Sequence, residues 1–193
     1  GMSFDIVYGG GRITATIPSP GIHMVMNSLC AAAVGLTLGI EPELIKQGIE
    51  SYAPVEGRMQ IIKTQRLTLL DDSFNANPTS MAAAINIACR ASGRTVLILG
   101  DMLELGEKGA EYHRDMGKKA VECGADMMIG KGPLMKNACE ETERAGIETM
   151  HFDTSEDIMR ALDNCLRDGD TVLVKASHGT NLKDVAEYIK ANF

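Results

Sequence analysis

The chain has 193 residues, enough for one large or two small domains with a real core. Its 45% hydrophobic and 23% charged residues are ordinary for a soluble globular protein, and a net charge of −7, with no Lys or Arg interleaved with aromatics, argues against a nucleic-acid surface. Five cysteines without a C-x-x-C pair suggest neither zinc nor a disulfide framework, while reduced thiols, no signal peptide and no membrane-length apolar run point to the cytoplasm.

The first predicted elements are a hairpin and two helices. Phe4 to Tyr8 and Arg12 to Ile17 flank Gly9-Gly10-Gly11 and read as paired strands, ended by Pro18, Pro20 and Gly21. Helices are predicted over 23–38 and 42–52, the first closed by Gly39 and the second opened near Pro42. Ala53-Pro54-Val55-Glu56-Gly57 reads as a hinge, which divides the chain into domains of residues 1–57 and 58–193. The first is thin for an independent core and reads as the tail end of a larger domain whose beginning is missing.

From Arg58 onward strands and helices alternate. Strands are predicted near 59–63, 67–70, 95–99, 126–129, 148–152 and 171–174, and helices near 78–91, 108–122, 133–144, 155–166 and 182–191. Asn77 suits an N-cap and Pro78 the first helical position, whose missing N–H would have no partner anyway. Asn181, with Asp184 three residues on, suggests a capping box for the last helix. The strands 59–63 and 67–70, joined by Thr64-Gln65-Arg66, pair as a hairpin. The later strands are short, almost wholly apolar runs, as expected when helices cover both sheet faces. The fold class is therefore α/β: a Rossmann-like, mostly parallel sheet with helices on both faces, preceded by a small hairpin-plus-helices remnant of another domain.

Such a sheet gathers the loops after its strands on one side. Four of them are polar: Asp71 to Asn77, Gly100 to Gly106, Gly130-Lys131-Gly132 and Lys175 to Gly179. Together they line a crevice with carboxylates, amides, two lysines and a histidine, and helix N-termini behind them favour anionic groups. Asp71 and Asp72 suit ribose hydroxyls or a metal, or else one faces solvent while the other caps a turn. Asp101 is a candidate base or ligand anchor, or a brace for its own loop. Glu104 is a site candidate or merely favours the start of the next helix. His113, alone within a helix, reads as a packing or hydrogen-bonding residue. Lys175, directly after an apolar strand, suits phosphate or carboxylate. The Gly-x-x-x-x-Gly-Lys-Ser/Thr phosphate loop, the Gly-x-Ser-x-Gly elbow and the His-Glu-x-x-His metal helix are all absent from the sequence.

Asp71-Asp72-Ser73-Phe74-Asn75-Ala76-Asn77-Pro78 and Gly100-Asp101-Met102-Leu103-Glu104-Leu105-Gly106, with His113 beyond, resemble the MurF-type Mur ligases. Upstream, Gly21-Ile22-His23-Met24-Val25-Met26-Asn27-Ser28 through Ala33 resembles the helix that ends that family's central domain, and Gly57-Arg58-Met59 the step into its C-terminal domain. The match spans most of the chain in the right order.

The resemblance implies the end of an ATP-binding central domain followed by a whole C-terminal Rossmann-like domain. It also implies ATP-driven amide formation between UDP-N-acetylmuramoyl-tripeptide and D-alanyl-D-alanine in peptidoglycan precursor synthesis, through an acyl phosphate. Carried over by motif, Asn27 contacts adenine with His23 nearby, Arg58 reaches ATP from the hinge, and Asp72 holds the ribose. Asn75, Asn77, Asp101, Glu104, Lys175 and Ser177 face the dipeptide and the closing cleft. No metal ligand and no catalytic residue is assigned here, because the family's phosphate loop and magnesium ligands belong to its upstream part. Two positions depart from the family pattern: Met24 stands where Asn is usual, and Lys175-Ala176-Ser177-His178 where an Arg is usual at the fourth position. A histidine does not reproduce the bidentate, permanent charge of a guanidinium. Two other readings use the same sheet, a non-catalytic nucleotide- or peptide-binding module and a sister Mur-type ligase with another amino acid substrate.

Overall fold

A computed structural model describes all residues from Gly1 to Phe193, which divide into two compact units, Gly1–Val55 and Glu56–Phe193. In the first, β1 (Met2–Tyr8) and β2 (Gly11–Ile17) form an antiparallel hairpin around Gly9-Gly10, with Tyr8 opposite Gly11. Alternation places Ile6, Ile13, Ala15 and Ile17 inward, against Ala32 of α1 (Ile22–Thr37) and Ile45 and Ile49 of α2 (Pro42–Glu50). The other face is polar, with Thr14 donating to Asp5 at 2.6 Å and Arg12 paired with the same carboxylate at 3.2 Å.

The second unit is built on one sheet of six strands. They are β3 (Gln60–Lys63), β4 (Thr68–Asp72), β5 (Thr95–Gly100), β6 (Met127–Lys131), β7 (Glu148–Phe152) and β8 (Thr171–Lys175), ordered β3-β4-β8-β5-β6-β7. Only β3 runs antiparallel, paired with β4 as the hairpin reading requires; every other neighbouring pair is parallel.

Strand alternation then builds two cores. Leu70, Leu97, Leu99, Met128 and Leu173 face α3 (Pro78–Cys89), α4 (Gly109–Cys123) and α5 (Lys136–Arg144). Leu69, Val96, Ile98, Met127, Ile129, Val172 and Val174 face α6 (Ser155–Cys165) and α7 (Lys183–Asn192). Each such side chain, fully buried, contributes about 1.5–3 kcal/mol of apolar transfer free energy. β7, at the sheet edge, is half-exposed and departs from the expected all-apolar pattern. α4 and α5 approach closely at Gly117, where a Cβ would lie 2.4 Å from the Ala138 carbonyl oxygen. Burial pushes the Cys89 and Cys139 thiols up to about 12, so both act as small packing groups.

Helix α3 starts as its sequence dictates. The Asn77 side chain accepts the Ser80 N–H at 2.8 Å, the Ser80 hydroxyl accepts the Asn77 N–H at 3.1 Å, and Pro78 occupies the first turn. Two expected helix starts are corrected. The helix predicted from residue 133 begins at Lys136, because Gly132 holds φ +101° and residues 133–135 form a turn first. The capping box expected at Asn181 and Asp184 does not form. Asn181 adopts a left-handed conformation (φ 54°) that closes a 3-10 turn over His178–Thr180, and α7 starts only at Lys183.

Candidate functional site

β4, β8, β5 and β6 lie side by side and parallel, so their carboxyl ends deliver Asp71-Asp72, Lys175, Gly100-Asp101 and Lys131 to one edge. Beyond β4 and β5 the chain turns to helices on one face, and beyond β8, between them, to α7 on the other. Opposite departures from neighbouring strands make this a topological switch point, the place where open α/β sheets bind ligands.

The adjacent carboxylates of β4 point to opposite faces and have different partners. Asp71 is 1% exposed, so the solvent-facing alternative is corrected and the turn-capping one stands. Its Oδ1 accepts the Ser73 N–H at 3.2 Å and hydroxyl at 2.6 Å, and its Oδ2 lies 2.8 Å from Lys190 Nζ on α7. Burial acts against the Lys190 ammonium, but its ion pairs with Asp71 and Glu187 outweigh it and hold its pKa above the ordinary 10.5. Asp72 stands directly opposite Lys175 in register. Its Oδ2 accepts from Lys175 Nζ at 2.6 Å and its Oδ1 from the Met59 N–H at 3.0 Å. Burial pushes the Asp72 carboxyl above the ordinary 3.8, and the Lys175 ammonium only partly offsets the loss of hydration. Lys175 is itself 1% exposed and also donates to the Asn75 carbonyl at 2.8 Å. One buried cation therefore ties β4 to the loop that follows it.

The loop after β5 is braced from several elements. The Asp101 N–H donates to the Lys131 carbonyl at 3.1 Å. The Asp101 carboxylate accepts the Met135 N–H at 2.7 Å and the Leu134 N–H at 3.3 Å, in the turn ahead of α5. Gly132 packs flat on that carboxylate, where a Cβ would come within 2.6 Å of Asp101 Cγ. Asp101 thus ties the loop after β5 to the turn ahead of α5, as its bracing reading expects. Ser177 pins two loops at once: its hydroxyl accepts the Leu103 N–H at 3.0 Å and donates to the Ala76 carbonyl at 3.3 Å. Between these anchors Glu104 is exposed and holds a positive φ of 62°, rare for a side-chain-bearing residue.

Three exposed or half-exposed groups close this rim. Arg58 lies 4.2 Å from the centre of the Phe74 ring, in cation–π contact, and the His178 ring stands 5.6 Å away and tilted. Gly57 and Met59 on either side of Arg58 have positive φ, and the Gly57 carbonyl accepts the Phe74 N–H at 2.9 Å. Arg58 is a site residue that the family motif implies and Phe74 is not; an aromatic stranded between Ser73 and Asn75 in a polar loop is the signal that marks it. Lys190 gave none, since its partner lies on another element. Asn75 and Asn77 are exposed, and Asn77 commits its oxygen to the helix cap. The unit thus brings Arg58, Asp72, Asn75, Asn77, Asp101, Glu104, Lys175 and Ser177 to one edge. His23 and Asn27 sit one turn apart on the exposed side of α1 in the first unit. No three His, Cys, Asp or Glu side chains gather as a metal site.

A mostly parallel sheet with helices on both faces and braced, mixed-charge loops at its carboxyl edge defines a Rossmann-like α/β domain. Residues 57–178 match the family description "Mur ligase, glutamate ligase domain". The chain is 33% identical over 192 residues to the UDP-N-acetylmuramoyl-tripeptide–D-alanyl-D-alanine ligase of Buchnera aphidicola subsp. Baizongia pistaciae, covering 98% of this chain and 41% of that protein. It is likewise 33% identical to the Bacillus subtilis protein of the same name, covering 90% and 39%. A crystal structure of MurF from Acinetobacter baumannii superposes with a TM-score of 0.88 at 26% identity, covering 98% of this chain and 42% of that one. The chain belongs to the Mur ligase family, and it spans about two fifths of the length of these relatives.

Proposed function

We propose that the chain is the carboxyl-terminal part of an ATP-dependent amide ligase that joins D-alanyl-D-alanine to UDP-N-acetylmuramoyl-tripeptide in the cytoplasm. The observation that carries this reading is the conjunction of family membership with a braced carboxyl-edge crevice built from the motifs that resemble this ligase type. Residues 1–57 would be the end of the ATP-binding central domain, and 58–193 the domain that presents the amine.

A carboxylate is a poor acyl donor. In the proposed reaction its oxygen attacks the terminal phosphorus of ATP, ADP leaves, and an acyl phosphate forms. The dipeptide amine attacks that carbonyl, inorganic phosphate departs from the tetrahedral intermediate, and the amine's proton passes to solvent. The protein's contribution is position and charge balance. Asn27 and His23 would meet adenine, Arg58 the nucleotide, and Asp72 the ribose. A carboxylate offers about four lone-pair sites, so ribose hydroxyls add to the bonds Asp72 already accepts from Lys175 and Met59. Asn75, Asn77 and Glu104 would face the dipeptide, while Asp101, Lys175 and Ser177 hold the loops that carry them. The family resemblance implies that magnesium would be held mostly by upstream polypeptide.

The test compares two proteins. The purified 193-residue chain is expected neither to hydrolyse ATP nor to form amide bonds. The longer protein is expected to ligate D-alanyl-D-alanine in preference to single amino acids and other dipeptides. Turnover by the short chain, or preference for another amine, overturns the assignment; nucleotide binding without ligation by the longer protein favours a non-catalytic module.

A further inference from the structure

His113 is wholly buried in α4, and the proposed chemistry leaves it without a task. Its two ring nitrogens have opposite partners. Nε2 accepts the Met102 N–H at 2.9 Å, and Nδ1 faces the Gly109 carbonyl at 2.6 Å. A carbonyl only accepts and an amide N–H only donates, so this pair of contacts requires the neutral imidazole with its proton on Nδ1. Asp101 Oδ1, at 3.9 Å, is beyond hydrogen-bond reach and is engaged by the Met135 N–H. The bond to Gly109, one turn back on the same helix, fixes the ring's orientation. The bond to Met102 then transfers that orientation to the loop after β5.

That loop is held at consecutive residues from separate elements. Ser177 donates its N–H to the Asp101 carbonyl at 3.1 Å, His113 takes the Met102 N–H, and the Ser177 hydroxyl takes the Leu103 N–H. The next residue is Glu104, exposed and with φ 62°. A left-handed glutamate persists only where its neighbours over-determine it. We propose that His113 is a positioning residue, which sets the backbone of Met102 and so presents Leu103 and Glu104 to the amine substrate. This rests on the ligase reading, in which the loop faces the incoming amine.

Asparagine and glutamine separate the two imidazole contacts. His113→Asn keeps a donor near the Nδ1 position and removes the Nε2 acceptor; His113→Gln keeps an acceptor near Nε2. In the 193-residue chain, nitrogen NMR of the wild-type imidazole is expected to give the Nδ1–H tautomer. Hydrogen exchange of the Met102 amide is expected to speed by about tenfold in His113→Asn, the loss of roughly one hydrogen bond. His113→Gln should stay near wild type, and β5 amides should be unchanged in both. In the full-length ligase, His113→Asn should raise the KM for the amine by about tenfold, with His113→Gln restoring it and the KM for ATP constant.

An Nε2–H tautomer, equal Met102 exchange in the two variants, protection lost evenly through β5 and α4, or a parallel rise in both KM values overturns the proposal. If His113→Asn fails to fold, the wild-type tautomer and the His113→Gln exchange decide the matter. A full-length protein that folds but never ligates overturns the ligase reading instead, and the exchange comparison still decides whether His113 positions the loop.

Discussion

The two edges of the six-stranded sheet use the same residue types to different ends. At the amino edge Arg94 donates to Asp170 at 3.1 Å, Glu148 at 3.0 Å and the Cys165 carbonyl at 3.1 Å. Asp126 takes the Thr95 N–H at 2.8 Å, and Arg66 pairs with Asp168 at 2.6 Å. These charges are answered within the edge, and together they tie strand starts to one another. At the carboxyl edge Asp71, Asp72, Asp101, His113 and Lys175 are also answered internally, yet they surround exposed tips at Phe74, Asn75, Leu103, Glu104 and His178. Buried polar groups at one edge close the structure, and at the other they frame a surface.

The largest expected effects come from removing the central cation of either edge. Arg94→Met leaves Asp170, 1% exposed, without its cation, and Lys175→Met does the same to the Asp72 carboxylate, whose side chain is 16% exposed. Each should cost about 3–5 kcal/mol in denaturant unfolding, the penalty of a stranded buried charge. The comparison sharpens in nucleotide binding by the full-length protein. Arg94→Met should leave it unchanged at temperatures where the protein is folded, whereas Lys175→Met should weaken it. Equal binding losses from both would erase the distinction between the edges.

Next in size is Asp101→Ala. Two amides ahead of α5 lose their acceptor, at about 1–3 kcal/mol for buried donors left unmatched. Hydrogen exchange should rise at Leu134 and Met135 and leave the amino edge untouched. The Lys190–Asp71 pair gives a pH test of the same frame. Because the folded-state pKa of Lys190 stands above its unfolded 10.5, the pair's contribution is fully present below pH 10.5 and is lost as pH climbs through the folded value. Wild type should therefore lose more stability than Lys190→Met across that alkaline window.

How far these frames were legible in the sequence follows from the range of each interaction. Runs such as Val96-Leu97-Ile98-Leu99 and Val172-Leu173-Val174 announce buried parallel strands, because the signal is composition over consecutive residues. Asn77-Pro78 announces a helix start for the same local reason, and the cap is present. Asn181 gave the same kind of signal and failed, since a short polar residue also tolerates the left-handed conformation that it adopts. The distant partners of Asp71, Asp101 and His113 lay out of sight. Lys190, Met135 and Met102 each lie on another element or across a loop from their partner, and a contact of that kind depends on the tertiary arrangement, which no local pattern specifies. Ser73 beside Asp71 and Gly109 one turn before His113 are, by contrast, local. Arg58, Phe74 and His178 come from separate segments of the chain and meet only once β4 and β8 are neighbours.

The smallest effect on stability should come from the most exposed member of the frame, Glu104. Its side chain makes no hydrogen bond or ion pair, so Glu104→Ala should shift unfolding by less than about 0.5 kcal/mol. Glu104→Gly should raise stability slightly, by about 0.5 kcal/mol, because glycine relieves the positive φ of 62° at some entropic cost in the unfolded chain. Under the proposed function both variants raise the KM for the amine and leave that for ATP alone. Under that reading, a residue neutral or unfavourable for folding yet needed for substrate would set the carboxyl edge apart from the amino edge. If both substitutions instead leave the amine KM unchanged, the loop's exposed tip is a by-product of bracing, and the dipeptide lies nearer Asn75 and Asn77.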